Sequence, residues 1–235
     1  MKKYKMKAIM IMGPQGSGKG TQAELIAKKL DLFHFDTGQY LRAILYDPAS
    51  QKNKIIQRER KLNEAGVLNT PSWILKIIAQ AIKKMAVLKK GVVFSGSPRT
   101  FYEAFGYDQG ESSKNKTGLT DVLDRCYGKK NVSVFILDIP LKESIKRINA
   151  RLSCSVCGSP FMAQKYNLGS CPFCGGEIIK RKDDNKASII RRLDEYEKRT
   201  KPIFTELKKR KYKIFKIDGT PAPYKIHKTI FGKVD

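Results

Sequence analysis

Residues 13–21 read Gly-Pro-Gln-Gly-Ser-Gly-Lys-Gly-Thr, directly after the apolar run Ala8 to Met12 and directly before apolar residues at helical spacing, Ala23, Ile26, Ala27 and Leu30. A short buried strand, a glycine loop and a helix in that order leave few folds open. Gly13, Gly16, Gly18 and Gly20 let backbone N–H groups curl around an anion without Cβ clashes. The start of the helix adds its dipole to the same anion. Lys19 closes the G-x-x-x-x-G-K core, and its length suits the terminal phosphates of a nucleotide. Gly20 stands where such loops commonly carry a hydroxyl, and Thr21 follows. The pattern predicts phosphate binding and does not by itself select a reaction.

The rest of the chain alternates strand and helix signals, which predicts a parallel sheet covered by helices. Val92-Val93-Phe94, Val132 to Ile139 and Lys213 to Asp218 read as further strands; Pro71 to Leu88, Leu141 to Leu152 and Ser188 to Arg210 read as helices. Pro71 suits a first helical turn and Pro140 stops a strand. Two segments interrupt the alternation. Thr37 to about Asn69 is polar and helical and lacks a core strand. Residues 153–182 hold four cysteines, four glycines and two prolines. Both read as excursions from one sheet.

Four of the five cysteines form Cys154-x-x-Cys157 and Cys171-x-x-Cys174, with Gly158, Pro160, Pro172 and Gly175 close behind them. Two knuckles at this spacing predict one tetrahedral zinc. Four thiolates leave no open position, so the metal's role is structural. The loop is too short to build a core, so metal supplies its folding energy. A disulfide pair or a redox motif is the alternative where the compartment is oxidising. Cys126 stands apart and reads as a packed thiol, and His34 as structural.

Net charge is +25. The lysines scatter along the whole chain, which favours a solvated surface over a nucleic-acid interface, with part of the excess free to line a cleft for polyanions. No run reaches the roughly 18 apolar residues of a membrane helix. The basic N-terminus leads straight into the first strand, so no signal peptide is expected and the expected location is the cytoplasm.

Several short motifs then occur in an order that resembles the adenylate kinase family along most of the chain. Lys19-Gly20-Thr21-Gln22 is similar to that family's loop ending. Asp36-Thr37-Gly38 followed by Leu41-Arg42 resembles its S-T-G-D-x-L-R segment, and Gly96-Ser97-Pro98-Arg99 its G-F-P-R. Arg147 and Arg151 resemble two arginines near the start of its lid. Arg181-Lys182-Asp183-Asp184 resembles its R-x-D-D run, Arg192 an arginine on the next helix, and Asp218-Gly219-Thr220 its D-G-T loop.

The resemblance implies a P-loop three-layer α/β sandwich with a central parallel sheet. Its core would be residues 1–36, 71–150 and 186–235, with a monophosphate-binding insert at 37–70 and a zinc lid at 151–185. The implied activity is Mg²⁺-dependent transfer of the γ-phosphoryl group of ATP to AMP by a monomer. The implied catalytic residues are Lys19, Arg99, Arg151, Arg181 and Arg192. ATP would be held by Gly13, Gly16, Ser17, Gly18, Lys19, Gly20, Thr21, Arg147, Arg151 and Gly219, and AMP by Thr37, Arg42, Gly96, Arg99, Glu103, Arg181 and Arg192. Guanidinium suits this work because it stays ionised and grips phosphate oxygens in pairs. The competing expectations are a kinase for another nucleoside monophosphate and a weakly catalytic nucleotide-binding protein.

Three positions depart from the resemblance. Ser95 and Gln39 stand where the family carries aspartates that help hold the water shell of Mg²⁺. Glu103 stands where it carries a glutamine that reads adenine. An ionised carboxylate only accepts hydrogen bonds, so Glu103 would suit a guanine edge better. Residues 101–131 resemble the family least.

Overall fold

The computed structural model describes residues 6–112, 116–162, 169–180, 184 and 186–234. Eight strands occur among them: β1 Ala8–Met12, β2 Phe33–Asp36, β3 Val92–Ser95, β4 Val132–Asp138, β5 Arg151–Cys154, β6 Pro160–Met162, β7 Ile178–Ile179 and β8 Lys213–Asp218. The helices are α1 Lys19–Leu30, α2 Thr37–Leu45, α3 Lys54–Glu64, α4 Pro71–Val87, α5 Phe101–Phe105, α6 Leu119–Tyr127, α7 Leu141–Asn149, α8 Lys186–Glu195, α9 Lys201–Lys209 and α10 Pro223–Phe231.

Five strands form one parallel sheet in the order β2-β3-β1-β4-β8. All five residues of β1 are buried, as are all four of β3. A central parallel strand has helices on both faces, so it reads as continuous apolar sequence rather than alternation. The two faces have separate cores. Met10, Phe94 and Val134 pack under α4, α6 and α9, while Ile9, Ile11 and Phe135 pack under α1 and α10. Each such side chain, fully withdrawn from water, contributes about 1.5–3 kcal/mol. The C-terminal ends of β1, β2 and β3 open toward the glycine loop and α2, the usual place for ligands in such sheets.

The sequence expectation misses β2. Its Phe33 is exposed and it is only four residues long, an edge strand without an apolar run. The helix expected over Leu141 to Leu152 ends at Asn149, and Arg151 already belongs to β5. β5 pairs antiparallel with β6 and β7 in a second, three-stranded sheet. The helix expected from Ser188 to Arg210 is continuous but widens to a π-turn over Tyr196–Thr200. Pro202 explains this: it cannot donate to the turn before it, and Lys201 N–H reaches back to Tyr196 O instead. No helix among the described residues is long and apolar enough to cross a membrane.

Candidate active site

The glycine loop joins β1 to α1 through backbone that side chains resist. Gly13 has φ 145°, and a Cβ there would stand 2.4 Å from Leu137 O. Gly16 has φ 79°, and a Cβ would stand 2.8 Å from Ser144 O at the start of α7. The loop is therefore pressed against β4 and α7. Lys19 Nζ donates to Pro14 O at 2.6 Å. Burial, reinforced by Arg99 and Arg151, lowers the Lys19 ammonium to about 7. A lysine held in this state gains its charge fully when an anion arrives.

Lys19, Arg99 and Arg192 line one cavity, with Gly13, Gly96 and Ser97. Arg99 is set by the turn after β3. Its Nε donates to Gly96 O at 2.7 Å, and its carbonyl accepts from Thr200 Oγ1 at 2.7 Å. Arg42, one turn into α2, lies beside the same patch of backbone. A Cβ on Gly38 would stand 3.4 Å from Arg42 Nη1; one on Gly96 would stand 3.4 Å from Arg99 Nη2 and 3.9 Å from Gly38 N. Two guanidiniums thus approach the backbone at Gly38 and Gly96.

Arg151 reaches the loop from β5. It makes a paired contact with Asp184, Nε to Oδ2 at 3.0 Å and Nη2 to Oδ1 at 2.6 Å, and Gln15 Nε2 donates to Asp184 at 3.1 Å. Asp184 is wholly buried. An Arg–carboxylate fork of this kind fixes direction as well as charge. Sequence reading named the aspartate run but gave Asp184 no part; its distance of 33 positions from Arg151 hides the pairing. Arg181 lies outside the described residues.

Arg147 donates from Nη1 to Gly219 O at 2.8 Å and from Nη2 to Thr220 O at 2.9 Å. It ties the loop after β8 to α7. Gly219 is tightly enclosed, with a Cβ position 2.7 Å from Ile139 and 3.5 Å from Ser17 O. Asp218 accepts from Thr220 N–H and hydroxyl, which lowers its carboxyl.

Glu103 packs at the start of its own helix. Thr100 caps α5, and Glu103 turns back on that cap, accepting from Arg99 N–H at 2.8 Å and from the Thr100 hydroxyl at 3.3 Å. It is buried at 3 % exposure, and that burial raises its carboxyl to about 7. The carboxylate is engaged in holding Arg99's turn, which gives no geometric support to its expected contact with a base.

Among the described residues, Ser17 Oγ, Thr37 Oγ1, Ser97 Oγ and Gln15 Oε1 are buried without a hydrogen-bond partner. Each such atom carries a desolvation cost of about 1–3 kcal/mol. Four of them gather around the glycine loop and the Gly96 turn, the place where a polar ligand would satisfy them.

The cysteines meet at the outer end of the second sheet. The four sulfurs all lie within 4.8 Å of one another. Cys154 and Cys174 are 3.4 Å apart, and Cys157 and Cys171 3.6 Å. Tetrahedral Zn–S bonds of about 2.3 Å put sulfurs roughly 3.8 Å apart, so this donor set fits zinc. The backbone N–H of Cys157, with that of Val156, points at Cys154 Sγ and lowers its thiol toward thiolate. Gly176 is required here, since a Cβ would sit 2.9 Å from Cys154 Sγ.

The family model for adenylate kinase matches residues 11–212. The chain belongs to the adenylate kinase family. Its relatives include the adenylate kinases of Clostridium tetani, 30 % identical over 94 % of this chain and 95 % of that one, and Syntrophomonas wolfei, 29 % identical over 97 % and 98 %. That of Pelobacter propionicus is 32 % identical over 83 % and 82 %. As an adenylate kinase family member this chain is a phosphotransferase of the nucleoside monophosphate kinase type.

Proposed function

We propose that this chain transfers the γ-phosphoryl group of ATP, carried with Mg²⁺, reversibly to AMP, giving two ADP. The observation that carries the reading is the convergence of Lys19, Arg99 and Arg192 on one cavity over the glycine loop, beside buried Ser17, Ser97 and Gln15 atoms that no protein group satisfies. Phosphoryl transfer is chiefly positioning and charge stabilisation, and a ring of fixed cations supplies both. No general base is needed, because the acceptor phosphate is already a nucleophile.

In this reading the glycine loop and Lys19 hold the phosphates of ATP. Arg42 and Arg99 hold the phosphate of AMP against Gly38 and Gly96. Arg151, oriented by Asp184, acts with Arg192 and Arg181 on the group in flight. Arg147 and Gly219 form the adenine side of the ATP site. Mg²⁺ neutralises phosphate charge and templates the oxygens when bound. Residues 37–70 cover the monophosphate, and residues 151–185 act as a lid that excludes water, the competing acceptor. Zinc held by Cys154, Cys157, Cys171 and Cys174 braces that lid. A thiolate zinc site suits a reducing compartment, and we place the chain in the cytoplasm as a monomer.

ADP formation from ATP and Mg²⁺, measured with AMP, GMP, CMP and UMP in turn, tests the reading. AMP is expected to be the best acceptor by at least tenfold. A better rate with another monophosphate would replace AMP, and ATP binding without turnover on any of them would remove the enzyme.

A further inference from the structure

Loops of this type commonly hold the cation through a hydroxyl directly after the lysine and a nearby aspartate. Here the position after Lys19 is Gly20, which has no side chain to offer. The space it leaves faces a carboxylate. Asp36 Oδ2 stands 3.8 Å from where a Cβ on Gly20 would begin. Asp36 ends β2, in register with Ser95 at the end of β3. Its other oxygen, Oδ1, accepts from Gln39 N–H at 2.9 Å and so caps α2. The side chain is thereby fixed from both directions, by its strand and by the helix it caps.

The charges around it agree. Asp36 is the carboxylate that Lys19 feels, against the repulsion of Arg99 and Arg151. The groups beside Asp36 at the strand ends are neutral: Ser95 binds His34 Nε2 at 2.9 Å, burial lowers the His34 imidazolium, and Gln39 is an amide, while the Arg42 guanidinium flanks the Oδ1 side, since a Cβ on Gly38 would lie 3.3 Å from Asp36 Oδ1 and 3.4 Å from Arg42 Nη1. A cation entering with the phosphates would therefore meet one fixed negative charge beside the loop.

The geometry points to Asp36 as a positioning residue that orients the water shell of the divalent cation carried by ATP. This rests on the nucleotide reading above. Mg²⁺ keeps several waters when it binds, so a carboxylate one water away can hold it without direct ligation. Loss of such an outer partner lowers metal affinity by about 10–100-fold.

The test uses Asp36→Asn, which keeps the side-chain oxygen that caps α2 and removes only the charge. Asp36→Ser, also a capping residue, guards against a fault peculiar to Asn. Two affinities are read for each chain: ATP in excess chelator, and Mn²⁺ for the protein–ATP complex by its electron paramagnetic signal. The expected result is Mn²⁺ affinity about tenfold or more weaker in both variants, with metal-free ATP bound as tightly as by the native chain or tighter, because a negative charge beside the phosphates is gone. A cap or a packing role would not weaken Mn²⁺ while leaving metal-free ATP binding intact. Native ATP binding with Mn²⁺ affinity unchanged to within twofold in both variants would overturn the inference alone. Failure of the native chain to bind ATP would overturn the nucleotide reading, and this inference with it.

Discussion

Strand β1 buries every one of its residues, and the glycine loop it feeds is walled by β4 and α7. Strand β5, which feeds the cysteine knuckles, is half-buried at its first two residues, and beyond it Val156 and Phe173 are 73 % and 76 % exposed. The first carries Lys19 into the cavity and the second carries Arg151, linked to the glycine loop through Asp184 and Gln15, yet the two hold their shape by different means. The sheet is fixed by apolar burial on two faces. The knuckles bury little besides Cys154 and Cys171 and depend on whatever joins their four sulfurs. On the proposed reading, in which zinc braces the second half as a lid, this is a suitable division of labour: a half that moves must be able to do so without disturbing the core.

Removing the metal should break that comparison most visibly. Zinc binding free energy is folding free energy for a segment without a core of its own. A strong chelator, or Cys157→Ser, is expected to abolish amide protection over residues 151–162 and 169–180 and to lower kcat about a hundredfold or more, while amides of β1 and β4 exchange as slowly as before. Hydrogen exchange reads both halves at once, and loss of protection in β1 would show that the two are one cooperative unit.

Two glycines sharpen the contrast. Gly13→Ala places a Cβ against Leu137 O in a backbone region that side chains avoid, and should lower global stability by about 3 kcal/mol. Gly175 has φ 71° and nothing within 4 Å of a new Cβ. Gly175→Ala should cost about 1 kcal/mol, felt as weaker zinc affinity and not as a shift in the denaturation midpoint of the sheet.

A pH-dependent effect concerns Lys19. Its burial means that the unfolded chain holds this proton up to about 10.5 and the folded chain only to about 7. Between those values the unfolded state binds more protons, so stability rises with pH; below about 7 the burial penalty is fully present. Lys19→Met removes the penalty. It is expected to raise the urea midpoint at about pH 6 and to lose that advantage toward about pH 10, while abolishing turnover. Such a gain in stability at the expense of activity is common where a site stores unfavourable burial.

The same contrast explains how far the sequence could be read. The sheet was legible because burial on two faces writes continuous apolar runs such as Ala8 to Met12 and Val132 to Asp138. The edge strand β2, four residues long with His34 and Asp36 breaking its apolar run, left no such mark. The cysteine spacing announced its cluster because metal ligands are set by local turns. The pairing of Arg151 with Asp184, and the turn of Glu103 onto its own helix, depend on tertiary approach and on a cap, which periodicity does not encode. Asp36 sat inside a motif already noted, yet its relation to Gly20 needed two elements distant in sequence to be seen side by side.

The central claim is that cations from the core and from the cysteine-bearing half gather two nucleotides and pass one phosphoryl group between them. Product stoichiometry tests it most directly: ATP, AMP and Mg²⁺ are mixed with the chain, and ADP and inorganic phosphate are counted together. The account predicts two ADP for each ATP consumed, no free phosphate, and no ADP without AMP. One ADP and one phosphate per ATP, indifferent to AMP, would contradict it.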